Sequence, residues 1–158
     1  MKKTTLIVLL LIAITTTAQE KMISHEGITN FEASIPLFEE VKAINEKTTC
    51  VLITKTGEIS CWVAVKDFKF KRNLMEDHFN ANYMESDRYP KAVFKGKIEK
   101  FDLKNLKSEM VTYQINGKMT IRGRTKKMTV KGTIKKVNDG IEDRKSTRLN
   151  SSHVSISY

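Results

Sequence analysis

Few residues in this chain have side chains that do chemistry. Outside the last stretch of the sequence, the histidines are His25 and His78. His78 follows Glu76 and Asp77, and a histidine beside two acids is the raw material of a metal site or of acid–base work. Adjacent residues on a helix point in different directions, however, and no second ligand cluster accompanies this one. The favoured reading is a helix-surface histidine with local hydrogen bonds. The cysteines are Cys50 and Cys61, on either side of a turn at Lys55-Thr56-Gly57. Two states are open to them: a disulfide between adjacent antiparallel strands, or two buried thiols behaving as small hydrophobes. Arg122-Gly-Arg-Thr-Lys-Lys127 is the densest positive run. It reads first as a solvated turn and second as a contact for anionic head groups. No phosphate loop, nucleophile motif or CxxC is present. The expectation is a protein that is not an enzyme, with no cofactor and no metal.

The elements that must carry these residues are mostly strands. Residues 27–35 alternate apolar and polar, and Pro36 ends the run. Residues 37–48 read as a loop with room for a turn of helix. Thr49–Thr54 and Glu58–Phe70 read as a hairpin turned at Gly57. Ile59, Cys61, Val63 and Val65 share a face, while Phe68 and Phe70 change phase, which predicts a bend near Lys66-Asp67. Arg72–Met84 has helical spacing at Leu74, Met75, Phe79 and Tyr83, with Asn73 as its cap. Ala92–Phe101 alternates again. Asn116-Gly117 predicts a hairpin joining Glu109–Ile115 to Lys118–Arg122. Met128–Val137 is the last strand. Each strand has an apolar face and a Lys- or Thr-rich face, the pattern of an all-β antiparallel barrel with one short helix. Such an interior either fills itself or holds one apolar ligand.

The two ends read differently from the middle. Lys2 and Lys3 precede an apolar run from Leu6 to Ile14, followed by small residues through Ala18. A positive start, an apolar run of roughly 7–15 residues and a small-residue exit predict an export signal cleaved after Ala18. That places the mature chain in the periplasm or outside the cell. Asp143-Arg-Lys-Ser-Thr-Arg-Leu-Asn-Ser-Ser-His153 has no periodicity and back-translates to a string similar to a short-read sequencing adapter. Residues 143–158 are therefore expected to be an artefactual tail, and the domain, 19–142, to be incomplete at its C-terminal side. The formal charge is +10 at pH 7. For an exported chain this points to solubility or to an anionic membrane surface rather than to nucleic acid.

Leu74-Met-Glu-Asp-His-Phe-Asn-Ala-Asn-Tyr-Met-Glu-Ser-Asp87, then Arg88-Tyr-Pro-Lys-Ala-Val-Phe-Lys-Gly-Lys-Ile98, then Asn116-Gly-Lys-Met-Thr-Ile-Arg-Gly-Arg-Thr-Lys126 together resemble the YceI family of exported lipid-binding proteins. The resemblance implies a lipocalin-like barrel whose tunnel holds a polyisoprenoid or another long apolar chain, with no defined reaction. Strands the family has beyond Gly140-Ile141 are missing from the pattern. Tunnel contacts are expected from Phe68, Phe70, Leu74, Phe79, Phe94, Ile98, Met119 and Ile121. Trp62 and Tyr83 are expected nearer a head group. The alternative is a structural or stress-related exported β protein with a self-filled core.

Overall fold

The computed structural model describes residues 21–33, 41–137 and 140–142. The expected export signal, Pro36 and the tail at 143–158 lie outside the described residues.

Eight strands form one curled antiparallel half-barrel with one short helix. The strands are β1 (Lys21–Ala33), β2 (Val41–Ile53), β3 (Glu58–Ala64), β4 (Lys69–Phe70), β5 (Lys91–Ile98), β6 (Val111–Ile121), β7 (Arg124–Val137) and β8 (Gly140–Glu142). Their order across the sheet is β1-β2-β3-β5-β6-β7-β8, and β4 pairs with β2. β3 pairs with the second half of β2, from Thr49 to Ile53. A 3-10 turn at Val65–Asp67 then bends the chain, and β4 resumes pairing with β2 at Ala43 and Ile44. The phase change between Val65 and Phe68 is this bend.

Three expectations need correction. Residues 41–48 are strand, not loop, because β2 begins at Val41 and pairs with β1 along its length. Its inward residues there are the small Ala43 and the polar Asn45, both buried, while Ile44 points out at 39% exposure. The usual apolar-in signal is thus inverted. Asn45 Nδ2 donates to the carbonyl of Ala64 (3.0 Å), which satisfies a buried amide.

The Asn116-Gly117 hairpin is absent: β6 runs straight through both residues. Gly117 pairs with Gly96 and Met128 in mid-strand. It is glycine because a Cβ there would meet the Lys95 carbonyl oxygen and the Phe94 ring, each at 2.6 Å. The turn falls at Arg122-Gly123, between the paired Ile121 and Arg124. Both turn residues have positive φ, 47° and 70°, as a two-residue loop of the mirror-image type requires.

The third correction concerns the helix. α1 (Asn73–His78) is short and continues into a wider turn at Phe79–Tyr83, closed by the Met84 amide on the Phe79 carbonyl (2.8 Å). Arg72, not Asn73, flanks its start, without a side-chain cap. Met75 and Phe79 pack inward, whereas Leu74 and Tyr83 are 66% and 59% exposed.

Candidate functional site

Direct partners on antiparallel strands share a face, and successive residues alternate. Following the register gives the inner face of the half-barrel. Cys50 pairs with Cys61, Cys61 with Phe94, Phe94 with Met119, and Met119 with Lys126. The next row holds Leu52, Ile59, Gly96, Gly117 and Met128. Ile98, Ile115 and Val130 follow it. The result is an apolar trough. Its floor is half-buried Phe94, Met119 and Ile121, together with a Cys50–Cys61 disulfide whose Cα atoms are 4.1 Å apart.

Each end of the trough is closed by a cluster. At one end Phe31, Phe68, Phe70 and Phe79 pack ring against ring, with centroids 4.8 to 6.4 Å apart. Ala43, Val63 and Val65 complete that cluster, and Met75 and Met84 pack on it. At the other end Ile98, Leu106, Ile115 and Ile134 are buried, covered by Phe101 and Leu103 of the loop after β5.

The expected contact residues therefore fall into groups. Phe94, Met119 and Ile121 line the open trough. Phe68, Phe70 and Phe79 are 5%, 9% and 5% exposed, inside the aromatic cluster. Ile98, 1% exposed, belongs to the aliphatic end. Leu74 and Tyr83 lie on the solvent side of the helical segment. Trp62 pairs with Thr49 and Val93, one residue out of phase with Cys61, and so sits on the outer face. Phe31, part of the aromatic cluster, was missed among the site residues, although the alternation of residues 27–35 marks its strand.

Polar groups gather at the rim rather than on the floor. Arg122 donates to the Glu85 carboxylate and ties the β6–β7 turn to the segment after the helix. Arg88 lies over the Tyr89 ring, 5.2 Å from its centroid, and Gly123 packs so close to that ring that a Cβ would sit 2.8 Å from it. Arg124 and Lys126 have the inward phase on β7 and are exposed at the trough's edge. Lys69 donates to Glu76 (2.8 Å), and the Phe70 amide donates to the other carboxylate oxygen (3.3 Å). The Lys69 hydrogen bond holds the Glu76 carboxyl below its ordinary range against the opposing effect of burial, and Lys69 is raised in turn. Glu76 is thus engaged away from His78, which is exposed. Among the described residues, no three His, Cys, Asp or Glu side chains converge on a point that would hold a metal.

The outer face is different in character. Ser60, Lys95, Lys118 and Lys127 form one cross-strand row, with Glu58, Lys97, Asn116 and Thr129 in the next. An open hollow of about 1000 Å³ lies there, reaching Gly96 and Gly117.

Solved structures similar to this one include a polyisoprenoid-binding domain from Saccharophagus degradans implicated in plant cell wall breakdown. That domain is 11% identical, with a TM-score of 0.62, and the match covers 74% of this chain and 68% of the other. A Campylobacter jejuni YceI protein is 14% identical with a TM-score of 0.43, and Burkholderia cenocepacia BcnA is 15% identical with a TM-score of 0.39. The match covers 75% and 73% of this chain respectively, and 60% of each of those. At 11% identity the likeness to the Saccharophagus domain is one of fold. No curated protein matches the chain. The family pattern of the YceI-like domain is matched over residues 14–158, and the chain belongs to that family.

Proposed function

We propose that this protein is exported and binds a long apolar chain of the polyisoprenoid type, for transport, storage or sequestration in an aqueous compartment. The observation that carries the reading is the continuous inner row from the Cys50–Cys61 bridge through Phe94 to Met119, with Ile121 beside it, apolar and only half-buried. A strand face that packs only on itself would bury such residues. Each Å² of apolar surface covered by a ligand contributes about 25 cal/mol before the costs of association. The fold likeness to a polyisoprenoid-binding domain supports the same reading. The trough offers contact rather than reacting groups, so the proposed role is binding without turnover. The apolar run at Leu6–Ile14, with its basic start, supports export to the periplasm or beyond.

A second reading is a structural β protein with a self-filled core. The aromatic cluster favours it, because Phe68, Phe70 and Phe79 already saturate one another. Native mass spectrometry of protein purified from a lipid-containing host separates the two. The ligand reading expects a co-purifying apolar molecule, or uptake of an added isoprenoid alcohol that Met119→Asp and Ile121→Asp abolish. A folded protein that carries no ligand and takes up none would leave the self-filled reading standing.

A further inference from the structure

The outer face carries an arrangement that stability alone does not favour. Lys95 lies directly opposite Lys118, and Lys118 directly opposite Lys127, on three adjacent strands. With strands about 4.8 Å apart, three ammonium groups share a band roughly 10 Å wide. Like charges directly opposite each other on a sheet repel and destabilise it. All three side chains are exposed, and among the described residues none makes an ion pair. Lys97 stands diagonally beside them and lines the same hollow.

The same face is apolar along its other half. The lysine row continues through Ser60 to Val51 and Ile23. Ile23 is 57% exposed. Ile53, Trp62 and Val93 occupy neighbouring rows of that face. Cations beside an exposed isoleucine and half-buried aliphatic and indole side chains are the combination that rests at a membrane interface. Lysine stems lie along apolar surface while their heads reach phosphates, and an indole sits between the oily and the wet layers. A polynucleotide needs the cations but has no use for Ile23, Val51 and Ile53.

We propose that this outer face docks on an anionic lipid surface. Lys95, Lys118 and Lys127 meet head groups in the hollow above Gly96 and Gly117, and Ile23, Val51 and Trp62 settle at the interface. The inference is independent of what the trough on the opposite face holds.

The test is co-sedimentation of the full chain with vesicles of phosphatidylcholine alone or mixed with phosphatidylglycerol. Binding is expected only to the mixed vesicles and should fall as salt rises. Each lysine near such a surface is worth about fivefold in affinity, so Lys95→Gln/Lys118→Gln/Lys127→Gln should weaken binding roughly a hundredfold. The triple Lys55→Gln/Lys104→Gln/Lys107→Gln removes the same charge from loops and should weaken it far less. Trp62 is the sole tryptophan, so quenching of its fluorescence by brominated lipid reports contact at this face directly. The patch triple should melt no lower than the parent, since it relieves repulsion. If it unfolds instead, Lys118→Gln alone, expected to lose about fivefold, carries the test. Equal loss in both triples, an unquenched Trp62, or no binding to mixed vesicles overturns the proposal. Binding to a DNA oligomer without binding to vesicles overturns it in favour of a polynucleotide partner.

Discussion

Replacing Gly117 by alanine is the most direct probe of the trough floor. The new Cβ would stand 2.6 Å from the Lys95 carbonyl oxygen and 2.6 Å from Phe94 Cζ, with Phe94 Cε2 at 2.8 Å. Non-bonded carbon pairs are comfortable at about 3.5–4.0 Å, so β5 and β6 must part by several tenths of an ångström and the ring must tilt by more. Overpacking of this kind costs about 1–3 kcal/mol. Alanine in place of mid-strand glycine returns roughly 0.5–1 kcal/mol of chain entropy. The expected net loss is about 1–2 kcal/mol, or roughly 5 °C in melting temperature for a domain of this size. Denaturant titration followed by Trp62 fluorescence measures it. A double-mutant cycle with Phe94→Ala isolates the ring contact. With the ring gone, only the carbonyl clash remains, so the double variant should be more stable than the sum of the singles predicts by about 1 kcal/mol. Strict additivity, or a Gly117→Ala variant at least as stable as the parent, would refute the close packing of Phe94 on the glycine pair.

Further expectations follow from the same geometry. Cys50 and Cys61 are 11 residues apart in sequence, and closing a loop of that length stabilises by roughly 3 kcal/mol, so Cys50→Ala/Cys61→Ala should melt about 10 °C lower. Reductant should move the parent toward the variant and leave the variant unmoved. The Glu76 carboxyl is held below its ordinary range, so its contribution is present at neutral pH and lost as the pH falls through the lowered value. Glu76→Gln should therefore melt below the parent at pH 7 and level with it in strong acid; an equal gap at both would remove the ionic explanation. Phe79→Ala should cost about 3–5 kcal/mol in equilibrium unfolding, whereas Leu74→Ala, on the exposed side, should stay within about 0.5 kcal/mol.

Legibility in the sequence followed how far each residue's type agreed with its surroundings. β5 and β7 were readable because Phe94 and Ile98, and Met128, Val130 and Ile134, alternate with Lys or Thr, and β3 because Ile59, Cys61 and Val63 share one phase although its other face holds Glu58, Ser60 and Trp62. The first half of β2 was hidden, since its inward positions are kept small for the phenylalanine rings or used for the Asn45 hydrogen bond. Asn116-Gly117 carried a strong local turn signal, but the glycine answers to Phe94 across the sheet, a contact no local pattern shows. The true turn, Arg122-Gly123, uses an arginine in a left-handed conformation that its type disfavours. On the helix, spacing admitted Leu74 and Met75 alike, and only docking selected Met75. The apolar character of the trough was legible from composition. Which phenylalanines line it and which plug its end was not, because that depends on the bend at Val65–Asp67.

The link between Glu85 and Arg122 reaches beyond its own neighbourhood. Both residues hold φ of 47°, a conformation that costs a non-glycine residue roughly 1 kcal/mol or more. Each is fixed by further contacts: the Glu85 carbonyl accepts from the Arg88 and Tyr89 amides, and Gly123 lies against the Tyr89 ring. Their ion pair therefore joins two strained corners. Loosening one turn thus removes a contact from the other, and at this degree of exposure the pair couples their local opening by about 1 kcal/mol or less.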